Sequence, residues 1–285
     1  MSLHEVAAAR WPKLTRALLT WAAEWNRVGE QTAFYAKTLR GIPNAVIRYK
    51  VELMRVLAQM SLGVGALAAI GGTVMVVPFL VMAAGGVVGV VGHFNLSELG
   101  VDALGGFFAS FVDTRTTSPF MACIGLAATV GAGTTAQLGA MRINEEIDAL
   151  EVMGISPITY LAATRVIAGV VAALPIFLTS LVTAYLVTEG IIVGIYHQPT
   201  GVYEHYFNTF LDPYDVMVST LEVILSAIAV MLIHTYYGMN ASGGPAGVGE
   251  ATGRAVRASL VTSVFITISL SMAIYGRSGH FHLAP

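Results

Sequence analysis

The sequence predicts an all-α membrane protein that crosses the bilayer five times, with an amphipathic interfacial helix ahead of the first crossing. Two observations predict it. Of 285 residues, 55% are hydrophobic and only 11% charged, where an average soluble domain carries about 25% charge; the mean hydropathy is +0.72. In addition, the stretches 56–92, 116–141, 166–188, 223–249 and 258–276 contain no Asp, Glu, Lys or Arg. A transmembrane helix takes roughly 20 apolar residues, so each of the last four suffices for one crossing. A soluble globule could not cover that much apolar surface. Soluble enzymes, nucleic-acid modules and disordered chains are therefore excluded. The formal net charge of −2 offers no basic excess for nucleic acid, and the single Cys123 forms no disulfide framework.

Residues 1–55 alternate charge with apolar positions and do not read as a cleavable signal peptide. Trp11, Leu14, Leu18, Trp21, Trp25 and Val28 recur at steps of 3 and 4, which puts them on one helical face. Arg10, Lys13, Arg16 and Arg27 fall off that stripe. A basic helix with tryptophan on its apolar face reads as lying in the headgroup plane, with Trp11, Trp21 and Trp25 as interfacial anchors. Docking on another protein is the alternative.

The first charge-free run is long for one crossing and short for two. Gly71-Gly72, Pro78 and Gly85-Gly86 give it places to bend, so a broken or partly re-entrant first span is expected. Orientation follows from the loops. Nine basic residues lie in 1–55, and alternating sides from there gives thirteen on the N-terminal side and two on the other. Acids divide nine to eight and decide nothing. The N-terminus is expected in the cytoplasm and the C-terminus outside.

Spans two and three carry small residues four apart: Ala127 and Gly131, Ala132 and Ala136, Ala136 and Ala140, Gly169 and Ala173. Such spacing lets helices approach closely, within one subunit or against a second. Between these spans, segment 142–154 is a short acidic helix: Ile143, Ile147 and Leu150 share a face, while Glu145, Glu146, Asp148 and Glu151 spread over the others. Gly154 can stop it and Pro157 can open the next span. By pattern alone it is either a solvated turn or a handle for a basic partner. Tyr203, Tyr206, Phe207, Phe210 and Tyr214 read as an aromatic interfacial helix. Asp212-Pro213, with Asp215 three beyond Asp212, reads as an N-cap, a first-turn proline and a capping box opening span four.

Other motifs carry no chemistry. The glycine-rich run 247–253 has the wrong spacing for a dinucleotide fingerprint, and no phosphate-binding loop is present, so no ATP site is expected here. His280 and His282 on the tail make a poor metal site. His234 stands alone in span four and reads as a hydrogen-bonded structural histidine.

The stretch from Gly131 to Gly169, GAGTTAQLGAMRINEEIDALEVMGISPITYLAATRVIAG, resembles the signature of the MlaE/YrbE permease family. A second block, GGPAGVGEAT at 243–252, resembles that family's loop before the last span. The likeness covers roughly 45–285, a permease domain, leaving 1–44 as a separate N-terminal region. GEQTAFYAKTLR, YEHYFNTFL and HTYYGMNASGG resemble the B-type YrbE permeases of actinobacterial mammalian-cell-entry (Mce) systems.

The resemblance implies a non-catalytic subunit of an ABC lipid importer in the bacterial inner (plasma) membrane. This chain would pair with an A-type YrbE permease. Two cytoplasmic ABC ATPases would use ATP and Mg, with no cofactor in this chain, and extracytoplasmic MCE-domain proteins would form a tunnel above. Arg142, Ile143, Glu145, Glu146, Ile147, Asp148, Leu150, Glu151 and Gly154 would form the ATPase-coupling helix. The cargo would be a hydrophobic lipid such as a fatty or mycolic acid, with an apolar lining from spans one, two and five. A sterol-importing or phospholipid-trafficking member is the alternative within the family. A secondary transporter would need intramembrane charges or an inverted repeat, and the charge-free runs show neither. Two residues depart from the family pattern: Gln137, where many members have glutamate, and Glu222, near a position where distant members have lysine.

Overall fold

The computed structural model describes residues 12–62 and 75–275. Among these the chain is helical, with no strand. Helix α1 spans Pro12–Arg48, α2 Lys50–Leu62, and α3 Met75–Glu98. Helix α4 spans Asp102–Ile143, α5 Glu146–Val152, and α6 Ile158–Ile195. Helices α7 (Thr200–Phe210), α8 (Pro213–Met239) and α9 (Gly244–Tyr275) complete the chain. Five of them, α3, α4, α6, α8 and α9, are long and apolar enough to cross a membrane, the number the sequence predicts.

The first charge-free run is shared between α2 and α3, and Gly71-Gly72, where a bend is expected, lies outside the described residues. Pro78 lies inside α3 and does not break it. Gly85 lets α3 approach α6: a Cβ there would stand 3.3 Å from the Ala184 carbonyl oxygen. The helix then runs on to Glu98 and closes with Gly100 at φ +71°. The Val101 amide donates to the Leu96 carbonyl (2.9 Å) and Gly100 to Ser97 (3.0 Å), so the last carbonyls are satisfied before α4 begins.

Residues 93–115 and 189–222, which lie between the charge-free runs, are thus mostly helix. Arg115 and Arg165, expected in loops, lie inside α4 and α6, and Asp215 and Glu222 lie inside α8. The expectation of nearly charge-free spans is corrected accordingly. Charge marks a loop only where it has no partner in the bundle, and these residues have partners. Helix α4 is also longer than a crossing needs, about 63 Å at 1.5 Å per residue against a hydrocarbon core near 30 Å. It contains two π-turns, Asp113–Thr117 and Ala127–Gly131.

The core lies among α4, α6 and α8, where Leu126, Phe177, Val223 and Met231 pack together. Two of the small-residue pairs face inward: Gly131 lies against the His234 ring and Gly169 against Met231. Ala136 and Ala140 face outward. Helix α9 packs along α8 through Ala251, Ala255, Ser259 and Ser263, while Val261, Phe265, Ile268 and Met272 form an uncovered apolar face.

Helix α1 runs unbroken through residue 44. Trp11 lies outside the described residues, Trp21 falls within α1, and Trp25 is 60% exposed. From Gln31 onward α1 docks on the bundle of its own chain. Phe34 meets the Tyr236 ring at 5.4 Å, Thr38 and Ala45 are fully buried, and Gly41 lies against Thr159. The Tyr49 ring meets Tyr160 at 5.1 Å. The end of α1, α5 and the start of α6 therefore share one end of the bundle. The 99–101 turn, α7 and Tyr275 share the other, joined by the Gln198 amide on the Asp102 and Ala103 carbonyls and by Tyr275 on Asp215.

Gly106 fixes α4 against α7, since a Cβ there would collide with the Tyr203 carbonyl oxygen and the Phe207 amide nitrogen, both backbone. Gly106→Ala is expected to destabilise the protein by about 1–3 kcal/mol, read as a lowered Tm in detergent. Gly133→Ala, where nothing lies within 4 Å, should leave Tm unchanged or slightly raised.

Candidate functional site

Two constructions stand out, one at each end of the bundle. The first is the knuckle between α4 and α6. Helix α4 ends at Ile143, Asn144 caps it, and Glu145 adopts φ +60°. That left-handed residue turns the chain sharply into α5. Helix α5 closes on Gly154 at φ +75°, with the Ile155 amide on the Leu150 carbonyl (3.0 Å) and Gly154 on Glu151 (2.9 Å). Pro157 then opens α6, so both predicted boundaries are observed.

Ile147 is 3% exposed and anchors α5 among Leu138, Leu161, Leu150 and Tyr160. Ile143 does not share this face, because the bend at Asn144 and Glu145 resets the helical phase. It is exposed instead. Glu145, Glu146, Asp148 and Glu151 are exposed, and Arg142 forms an ion pair with Asp148. That pair is open to solvent and contributes little stability. Val152 is 90% exposed and Met153 64%. The knuckle is thus an acidic collar around an apolar tip, fixed from beneath by buried isoleucine and leucine. The sequence reading missed the tip because it sought apolar residues on one face only.

The second construction is a seam of polar contacts joining α8 to α9 and α4. Three residues of α9, eight apart, each meet one residue of α8. Ser259 Oγ lies 3.2 Å from His234 Nε2, the Thr267 hydroxyl donates to Glu222 Oε1 at 2.6 Å, and the Tyr275 hydroxyl donates to Asp215 Oδ1 at 2.9 Å. On the α4 side, Thr135 Oγ1 lies 2.7 Å from His234 Nδ1. His234 is fully buried between two hydroxyls, a hydrogen-bonded histidine as its isolation predicted. His280 and His282 lie outside the described residues.

At the far end Arg115 donates Nε and Nη2 to Asp215 Oδ2, at 2.9 and 2.7 Å. Its guanidinium lies between the rings of Phe111 and Tyr275, 4.1 and 4.2 Å from their centroids. Asp215 therefore does not close a capping box. Asp212 alone caps α8, accepting from the Tyr214 amide at 2.8 Å. Next to this pair the Ser219 hydroxyl donates to the Thr114 carbonyl at 2.6 Å. Thr188 donates to Asp113, also buried, at 2.7 Å. The signal was present in the sequence: Asp215, Ser219, Glu222 and Ser226 recur at steps of 4, 3 and 4, one face of α8. Of the two departures from the family pattern, Gln137 is exposed and Glu222 is buried in the seam.

Tyr203, in α7, is also buried, which pushes its hydroxyl well above the ordinary tyrosine range. It stacks on Phe207, and Tyr206 stacks on Phe210. Four of the five predicted aromatics, Tyr203, Tyr206, Phe207 and Phe210, share α7, one side of which is packed on the bundle, while Tyr214 falls in α8.

Neither construction assembles a nucleophile or an acid–base pair around an open cavity. What they offer is an exposed knob and a fastening. The family described as Permease MlaE matches residues 64–273. Among individual proteins, the chain is 30% identical over 169 residues to a "Probable ABC transporter permease protein" of Synechocystis sp., covering 58% of this chain and 63% of that one. It is 27% identical over 247 residues to another protein so described from Rickettsia conorii, covering 86% and 93%. To the chloroplastic protein TRIGALACTOSYLDIACYLGLYCEROL 1 of Arabidopsis thaliana it is 28% identical over 186 residues, covering 65% and 53%. The chain thus spans less than two thirds of the Synechocystis and Arabidopsis relatives.

The Arg115–Asp215 pair yields a double-mutant test. Arg115→Gln leaves buried Asp215 with the Tyr275 hydroxyl alone, and Asp215→Asn leaves partly buried Arg115 with its two rings, so each is expected to cost about 1–3 kcal/mol. The double variant should lose less than the sum, by about 0.5–3 kcal/mol. Thermal unfolding of the four proteins in detergent measures the difference.

Proposed function

Because this chain belongs to the MlaE permease family, we propose that it is the membrane-spanning subunit of an ABC-type lipid importer whose ATP is hydrolysed by a partner chain. The knuckle is the observation that carries this reading. It is short, exposed, acidic, tipped with Val152 and Met153, and fixed rigidly to α4 and α6. A knob of that kind suits a groove with a basic rim on an ATPase, where the apolar tip is buried and the acids pair around it.

On this reading the knuckle end faces the cytoplasm. Arg40, Arg48, Lys50, Arg55 and Arg142 lie in the segments gathered at that end, which accords with the bias of basic residues toward the cytoplasmic side. The uncovered apolar face of α9 suits a second permease, an A-type YrbE subunit in the Mce assignment, and the opposite end faces MCE-domain proteins. The membrane is then the bacterial inner membrane. ATP with Mg acts in two ATPase subunits outside this chain. Nucleotide-driven closure of those subunits moves the knuckles, and the permease pair alternates between conformations that bind lipid unequally.

The cargo is a hydrophobic lipid. The Arabidopsis relative's name carries a glycerolipid, which supports lipid as the class. Fatty or mycolic acid is the assignment that follows from the Mce likeness, with sterol or phospholipid as the alternative. A secondary transporter is the reading that partly buried Arg115 and buried Asp215 would favour in isolation. Their mutual pairing, bracketed by two rings, is instead that of a structural fastening.

The triple variant Glu145→Ala, Glu146→Ala, Asp148→Ala removes most of the collar and leaves Ile147 and Leu150 in place. It is expected to reach the membrane in normal amount, to lose co-purifying ATPase, and to abolish ATP-dependent lipid uptake. Normal uptake by that variant would overturn the assignment.

A further inference from the structure

Helix α1 passes alongside α8 and α9, and the three helices do not close on one another. They leave between them an open cavity of about 360 Å³. Its floor is apolar, formed by Ala229 and Leu232 of α8 and Ala258 of α9. Leu232 and Ala258 stand within two residues of the His234–Ser259 contact, inside both spans, so the cavity lies at hydrocarbon depth. Val28 of α1, 53% exposed, marks where it opens toward the membrane. The volume falls within the roughly 300–1,000 Å³ of small-molecule sites, which are mostly apolar with a few convergent polar groups.

The α1 wall supplies such polar groups. Gln31 donates its side-chain amide to the Tyr35 hydroxyl, and both line the cavity. Among the described residues the Tyr35 O–H and the second Gln31 amide hydrogen meet no acceptor. Thr32 and Thr262 line it too, but each donates its proton to a carbonyl of its own helix, Val28 and Ala258, both at 2.8 Å. The unspent donors therefore stand together on one wall, at a depth where water is absent and a free donor is costly. Every described residue lining the cavity is uncharged, so nothing there balances a phosphate or a carboxylate. The complement is an uncharged head with carbonyl oxygens, carrying a hydrocarbon chain to cover the floor.

We propose that this cavity binds an uncharged glycerolipid of the diacylglycerol class, with an ester carbonyl on Tyr35 and Gln31 and one acyl chain against Ala229, Leu232 and Ala258. The site is separate from the cargo lining that the family likeness implies, because it is built on α1 and span four in place of spans one and two. A lipid held there fastens α1 to the bundle. In the test, full-length permease in detergent is offered equal amounts of diacylglycerol and phosphatidic acid with the same acyl chains, and the lipid retained is counted by native mass spectrometry. One diacylglycerol per chain is expected, retained in preference to phosphatidic acid. Tyr35→Phe should lower that retention about five-fold, the loss of one hydrogen bond, and Ala229→Leu, which fills the cavity, should abolish it. Equal retention of the two lipids, or diacylglycerol retention unchanged in either variant, overturns the proposal. If Ala229→Leu does not accumulate in the membrane, Gln31→Leu takes its place: lowered retention supports the site and unchanged retention overturns it.

Discussion

Arg115 and Asp215 lie a hundred residues apart and meet at 2.7 Å, with a phenylalanine ring on one side of the guanidinium and a tyrosine ring on the other. Inside hydrocarbon a polar group must find its partner within the protein, because water is absent. That constraint organises the bundle. Asp215, Glu222 and His234 all point from α8 toward α9 or α4, and each meets a hydroxyl supplied by another helix. Apolar packing alone would leave these helices free to slide, since lipid tails are as apolar as leucine. The seam fixes the height of α9 relative to α8 at three levels.

At the opposite end of the bundle two further charges are buried: Glu52 of α2, paired with Arg55 on its own helix, and Arg165 of α6, whose Nη1 donates to the Leu161 carbonyl. Stability is thus concentrated in the α4–α6–α8 core, with the knuckle fixed to it through Ile147. The outer surfaces of α2 and α9 remain uncovered.

Much of this was legible in the sequence. Five crossings followed from charge-free runs, and Asp212, Gly154 and Pro157 marked helix ends through local stereochemistry. His234 was read as hydrogen-bonded because no carboxylate on its own helix could reach it. What failed to show was partnership across helices. Arg115 and Arg165, between the charge-free runs, read as loop residues and Asp215 as a local cap, because an unpaired charge belongs in water. Whether a charge is paired depends on a residue a hundred positions away. Ile143 was misplaced for a related reason: one left-handed residue, Glu145, rotates everything before it relative to α5. The apolar tip at Val152 and Met153 escaped notice because two exposed residues leave no periodic trace.

The π-turns of α4 bear on how one helix can serve two distant contacts. Arg115 and Thr135 both meet α8, yet over twenty residues an ideal α-helix at about 100° per residue would point them roughly 160° apart. Each π-turn takes up about one extra residue and so unwinds the helix by about 100°. The second turn lies wholly between the two contacts and the first contains Arg115 itself, so both rotate the side chains toward the same neighbour. Azimuth in this rod is therefore set locally, by two small dislocations, and an insertion or deletion between the contacts would be felt as torsion before it was felt as length.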